Sequence, residues 1–245
     1  MKHGSNLNRR DFLKSGASGS LAMMCAGAAA GVPGIGGTDL MTQYSDVVID
    51  AMRDIVKEER ANILKAADLL SDNANSGRLI HVYGAGGHSS IAAMEIFWRA
   101  GGLACVSPLL DEDLMLHDGG AKSSRMEKMP GIAAEAFRRA GVDSKKDLLI
   151  VISASGKNAA PVEMLRTAKA AGVKTMAISS SQYKAHGGVL LEEADLPVDC
   201  LVPYGDAVIE VGESRMGGLS TYASLFILNS VLIEGAKRAC DRGVK

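Results

Sequence analysis

The chain has 245 residues, 27 basic and 28 acidic, with a formal net charge of -1, so nothing in its balance points to a nucleic-acid surface or an acidic partner. Hydrophobic residues make up 47% and aromatics only 4%. That composition suits helices packed closely on a sheet and argues against an all-β sandwich.

The chain opens with "LNRRDFLKSGASGSLAMMCAGAAAG", in which Arg9 and Arg10 precede Asp11, Phe12, Leu13 and Lys14 and then a weakly apolar, Gly- and Ala-rich stretch. This resembles a twin-arginine (Tat) signal, with Ala26 to Gly31 offering small-residue cleavage sites. The stretch is too short and glycine-rich to span a bilayer. Residues 1–40 are therefore read as an export address without membrane anchoring, with a periplasmic or otherwise exported location expected and a cytoplasmic one as the alternative. Residues 41–245 are expected to form one domain, since roughly 200 residues suffice for one buried core and are marginal for two.

From Met41 to Asn75, Val47, Val48, Ala51, Ile55, Ile63, Ala67 and Leu70 fall at helical spacings, as one long helix or two with a break. "RLIHVYGAGG" reads as a short buried strand entering a glycine turn, and "HSSIAAMEIFWRAGG" as a helix closed by Gly101 and Gly102. "LACVSPLL" is a second strand. Leu109 to Met129 reads as an irregular, charged, functional loop. Pro130 to Ala140 is a helix, "DLLIVIS" a third strand, Asn158 to Ala171 a helix, and "VKTMAIS" and "LPVDCLVP" the fourth and fifth strands. The final helix, about Leu219 to Arg242, is apolar around much of its circumference and is expected to be buried in the domain or in a subunit interface. Strands alternating with helices imply an α/β fold with a parallel sheet covered on both faces, whose ligands bind at the carboxyl ends of the strands.

Cys25, Cys105, Cys200 and Cys240 show no CxxC spacing, so neither a disulfide framework nor a zinc site is expected. Cys105 and Cys200 read as small core hydrophobes. No GxxxxGK followed by Ser or Thr is present, and the GxGxxG pattern begun at Gly84 and Gly86 meets Ser89 where its third glycine belongs. With no HExxH or clustered His pair either, no cofactor and no metal are expected.

Two strand-to-helix turns stand out, "YGAGGHSS" and "SASGKN". A helix start presents unpaired N–H groups and a partial positive charge, Ser153, Ser155 and Asn158 add donors, and Gly156 permits close approach, so the second turn reads as an anion cradle. In the first turn the matching donors are Gly86, Gly87, Ser89 and Ser90. A plain helix cap is the competing reading, but a cap needs one such residue.

"VYGAGGHSS...EIFWRAGGL", "ISASGKNAAPVEM" and "YGDAVIEV" together resemble the SIS (sugar isomerase) domain, in a subfamily related to phosphoheptose isomerases, over about Met41 to Gly243. The resemblance implies a flavodoxin-like five-stranded parallel sheet with helices on both faces, a homodimer or higher homo-oligomer, and a small-molecule sugar phosphate held by Ser153, Ser155 and Asn158. It also implies aldose-ketose isomerisation through an enediol. Glu95, in "EIFWR", matches the segment that carries the family's catalytic glutamate, although i, i+4 pairing with Arg99 competes for it. His88 is the candidate partner acid, and His117 a more remote one. The family's histidine on the final helix has no counterpart between Gly217 and Lys245. Glu127, Glu163, Glu210 and Glu234 are further carboxylates near the motifs, with Asp206 and Glu210 as possible sugar-hydroxyl ligands. The alternatives are a non-catalytic sugar-phosphate-binding module and an etherase or lyase acting on an amino-sugar phosphate. A regulator acting on DNA would need a basic helix-turn-helix segment, which is absent, so no nucleic-acid partner is expected.

Overall fold

Five apolar runs become five parallel strands: β1 Ile80–Gly84, β2 Val106–Pro108, β3 Leu148–Ile152, β4 Lys174–Ser179 and β5 Leu196–Asp199. This computed structural model describes residues 39–75, 77–143 and 145–244, and the arginine pair lies outside them. The sheet order is β2-β1-β3-β4-β5. β1 and β3 are buried at every position because helices cover both faces, which is why they read as unbroken apolar runs. Their register runs from Ile80 opposite Leu148 to Gly84 opposite Ile152, so the two strands end level with each other.

Strand residues alternate between two cores. Ile80, Val82, Leu148, Ile150 and Ile152 face α1 (Leu40–Glu58), α2 (Arg60–Asn75), α3 (Ser89–Glu95) and the last helix, α8 (Ser220–Asp241). Tyr83, Leu149 and Val151 face α5 (Ile132–Ala140), α6 (Ala159–Ala170) and α7 (Leu190–Glu193). The amino-terminal helical stretch breaks at Glu59, and Asp39 caps α1 by accepting from the Thr42 N–H at 3.0 Å. The expected burial of the final helix is met within the domain, where α8 lies along α2; a Cβ on Gly235 would come 2.5 Å from Leu70 Cδ2. Cys200 is buried, which pushes its thiol up to about 12, in keeping with a small hydrophobe. Among the described residues no helix is long and apolar enough to cross a membrane.

Three elements differ from the sequence reading. The helix after β1 stops at Glu95, because Ile96 turns into the core at 1% exposure and Trp98 takes a left-handed φ of 51° that ends helical geometry well before Gly101. The stretch 109–129 is mostly helical, with 3-10 turns at Glu112–Leu114 and Leu116–Asp118 and then α4, Gly120–Met126. A separate antiparallel hairpin joins β6 (Ala207–Val211) to β7 (Ser214–Gly218). Its signal was present in the β-branched residues of "AVIEV" and in the two-residue Gly212-Glu213 turn, where Gly212 has φ 60°.

At the amino edge of the sheet, buried Asp147 accepts from the N–H of Leu79 (3.0 Å) and Asp143 (2.9 Å) and pairs with His81 Nε2 at 3.0 Å. Burial alone raises a carboxyl, but the Asp143 and Leu79 N–H groups and His81 outweigh it and hold Asp147 below its ordinary value. A carboxylate with a lowered folded-state pKa stabilises above its unfolded value and loses that contribution as acid titrates it. Asp147→Ala should therefore cost about 1–3 kcal/mol at neutral pH by stranding the buried His81 ring and two part-buried N–H groups. In urea unfolding the gap from wild type should hold down to about pH 4 and shrink below it; equal midpoints at pH 7 would refute this account.

Candidate functional site

Because β1 and β3 are neighbours and end level, their turns lie side by side at the carboxyl edge. This is the switch point of a 2-1-3-4-5 sheet, where the chain leaves in opposite directions and opens a crevice.

The first turn is built by close approach. A Cβ on Gly84 would lie 2.5 Å from Ser90 Cα, and one on Gly87 would fall on the Leu116 side chain. Ser90, 3% exposed, directs its Oγ at the carbonyls of Gly84 and Gly86, both at 2.9 Å. Its hydroxyl closes the turn and is not aimed at a ligand, a correction to the donor set expected there. Ser89 is half-buried, and His88 is exposed at the start of α3 with no side-chain capping bond.

In the second turn Ser153 is buried and its Oγ accepts from the Gly156 N–H at 3.2 Å. That bond occupies an acceptor site and leaves the hydroxyl proton to be donated. Gly156 has φ 59°, and a Cβ there would sit 2.6 Å from Ser179 Oγ. Half-buried Ser155 is backed by Gly188, whose Cβ would come 2.8 Å from the Ser155 carbonyl, and the Val189 N–H donates to the Gly156 carbonyl at 3.0 Å. Asn158 precedes α6 with an extended backbone but makes no side-chain cap, so the simple capping reading fails. Its Nδ2 donates instead to Glu127 Oε1 at 2.9 Å.

Glu127 joins the two turns. It follows α4, its carbonyl accepts the Ala160 N–H at 2.9 Å, and a Cβ on Gly86 would strike its carboxylate. Burial pushes this carboxyl up, with only Lys128 opposing. From the sequence Glu127 was one of several nearby acids. Its position depends on the fold of 109–129, and the only local signal was an acid within a long excursion between the two motifs.

Glu95 is not brought to the turns. It ends the seven-residue α3, about 10 Å along the axis from His88, and ion-pairs with Arg99, its side chain 42% exposed. Asp206 accepts from the N–H of Leu219 (2.9 Å) and Ser220 (2.6 Å), so it caps α8, while Glu210 is exposed 3.6 Å from Arg215. His117 is exposed. Beyond Gly156 a cavity of about 290 Å³ opens at the ends of β4 and β5, lined by Ser179, Ser180, Ser181, Lys184 and Asp199. The run of serines after β4 was its sequence signal. Among the described residues no group of three or more His, Cys, Asp or Glu could hold a metal ion.

Residues 43–180 match the family model described as "SIS domain". The chain belongs to the SIS-domain family. The UPF0309 protein of Thermoanaerobacter pseudethanolicus is 36% identical over 208 residues, 80% of this chain and 83% of that protein. Among solved structures, a phosphoheptose isomerase from Francisella tularensis superposes with a TM-score of 0.58 at 16% identity, over 82% of this chain and all (100%) of that one. The Vibrio vulnificus NanR protein complexed with ManNAc-6P gives 0.50 at 15% identity, over 83% of this chain and 67% of that one. At such identities the structural likenesses establish the fold. The α/β architecture with its five-stranded parallel sheet is the one these SIS neighbours share.

The geometry at Gly156 makes a direct prediction. Gly156→Ala must carry a left-handed backbone and displace Ser179, so it should lose about 1–3 kcal/mol of stability. Ser179→Gly in the same chain should restore part of that loss by removing the Oγ; thermal unfolding of the single and double variants measures both, and an undiminished Tm in Gly156→Ala would contradict the close approach.

Proposed function

We propose that this SIS-domain chain binds a sugar phosphate at the carboxyl edge of its sheet and interconverts aldose and ketose through an enediol. The observation that carries this reading is Glu127, a carboxylate bonded to Asn158 of one turn, set against Gly86 of the other, and raised in pKa by burial. A base that takes and returns a proton works best when its pKa approaches the ambient pH, and burial moves a carboxyl in that direction. The phosphate is assigned to the turn from Ser153 to Asn158, where the hydroxyls of Ser153 and Ser155 share one short segment with the positive end of the twelve-residue α6. Glu127 then removes the proton from the carbon beside the carbonyl while the carbonyl oxygen gains one, and returns it to the former carbonyl carbon as the neighbouring hydroxyl gives up its proton and becomes the new carbonyl. His88, exposed beside the first turn, is the donor proposed for the sugar oxygens, with Gly86, Gly87 and Ser89 forming the adjacent wall. Family membership supports a sugar-phosphate ligand, as does the ManNAc-6P held by the NanR neighbour.

Solvent deuterium exchange at the carbon beside the carbonyl, followed over a panel of aldose and ketose phosphates, tests the reaction. Glu127→Gln should lower exchange by about 10²- to 10⁴-fold, while Glu95→Gln should stay near wild type. The rate should rise with pH as Glu127 loses its proton, with the rising limb displaced above the ordinary carboxyl value of about 4.3. Binding without exchange would replace the isomerase with a binding module, and release of an acid from an amino-sugar phosphate would indicate the etherase or lyase. No binding of any sugar phosphate would sink the proposal.

We further propose that residues 1–40 direct export and that residues 41–245 assemble as a homodimer. Arg9 and Arg10 support the first. Exposed Met41, Ile49, Tyr222 and Ile233 on α1 and α8 support the second. Cell fractionation and light scattering check both: Arg9→Lys with Arg10→Lys should hold the protein in the cytoplasm, and the exported wild type should show twice the chain mass. An unchanged location, or a monomer, would count against the respective claim.

A further inference from the structure

The opposite, amino edge of the sheet carries a second cavity that the proposed reaction does not use. It measures about 450 Å³ and lies beneath the starts of β1, β3, β4 and β5. Arg78, Lys145, Lys146, Lys169 and Lys174 line it, against the carboxylates of Asp147 and Asp195. Asp147 is buried, and half-buried Asp195 turns one of its two oxygens inward. Asp147 is bonded to Leu79, Asp143 and His81, and Asp195 Oδ2 accepts the N–H and hydroxyl of Thr175 at 2.9 and 3.0 Å.

The cations are less fully matched. Lys169 lies 3.7 Å from Asp195 and donates to the Glu193 carbonyl, and Lys146 lies 3.6 Å from Asp143. Among the described residues Arg78, Lys145 and Lys174 make no salt bridge, and Arg78 Nε is shut off from solvent with no acceptor. A buried guanidinium N–H without an acceptor is costly, and an anionic oxygen is the partner that suits it best. A net excess of positive charge in one concavity also raises the local concentration of anions.

We propose that this amino-edge cavity binds a small anion carrying two or more linked phosphates. The spacing of the cations selects for linkage. Arg78 precedes β1, Lys145 and Lys146 precede β3, and Lys174 opens β4, three adjacent strands in the order β1-β3-β4. Neighbouring strands lie about 4.8 Å apart, so the outer cations spring from backbone about 10 Å apart. One phosphate engages part of that span; a diphosphate engages all of it. Among the described residues Leu69 and Val173 are the only apolar side chains in the lining, which leaves little surface on which to stack a base, so recognition rests on the phosphates.

Calorimetric titration of the full chain with inorganic pyrophosphate, orthophosphate and ATP tests the site. Pyrophosphate should bind, orthophosphate about tenfold or more weaker, and Arg78→Gln and Lys174→Gln should each weaken pyrophosphate by about tenfold. Ser155→Ala, at the opposite edge, should leave that affinity unchanged, and thermal unfolding should confirm that all variants remain folded. ATP matching pyrophosphate assigns the ligand to nucleotides, and ATP failing where pyrophosphate binds assigns it to free inorganic diphosphate; either supports the site. Absence of pyrophosphate binding, equal affinity in wild type and both cation variants, or loss on Ser155→Ala would overturn it. Equally tight binding of duplex DNA or anionic vesicles would overturn it too, as the mark of unselective charge.

Discussion

The level parallel pairing of β1 with β3 is the constraint on which the rest of the structure depends. Both strands are buried on both faces, so their register is set by two cores at once, and a slip of one residue would exchange every inward side chain between them. Holding that register places Gly84 opposite Ile152. The two polar turns then have to emerge together, and the covering helices have to diverge.

Close backbone approach is the second consequence. Gly84, Gly86 and Gly156 each occupy space that a side chain would deny to a neighbour: the start of α3, the Glu127 carboxylate and the Ser179 hydroxyl respectively. Hydroxyls in such a cradle divide into two kinds. Ser90 is spent on two carbonyls of its own turn, whereas Ser153 accepts one N–H and keeps a proton to donate. Serine content in a turn thus overstates the donors available to a ligand.

The excursion between β2 and α5 shows why an acid can be visible in a sequence and its role hidden. Glu95 sits in the segment that resembles the one carrying the family's catalytic glutamate, yet α3 ends there and the side chain pairs with Arg99. Glu127 sits in a charged stretch that resembled a loop, yet α4 and two 3-10 turns fold it back across the sheet edge to Asn158. Local helical spacing does not record where a helix starts relative to a distant turn. For the same reason Asp206 read as a possible ligand and is instead the cap of α8.

The sequence by itself determined the α/β class, the five strands and the two turns at their carboxyl ends, because burial on both faces writes continuous apolar runs and turns demand glycine. It also carried the family resemblance in short contiguous motifs. Tertiary structure decided which acid meets the turns, which serine hydroxyl is spent on its own turn, and that five cations gather around one cavity at the opposite edge. Those outcomes depend on residues far apart in the chain brought within a few ångströms by the sheet order, and spacing along a single segment carries no information about that.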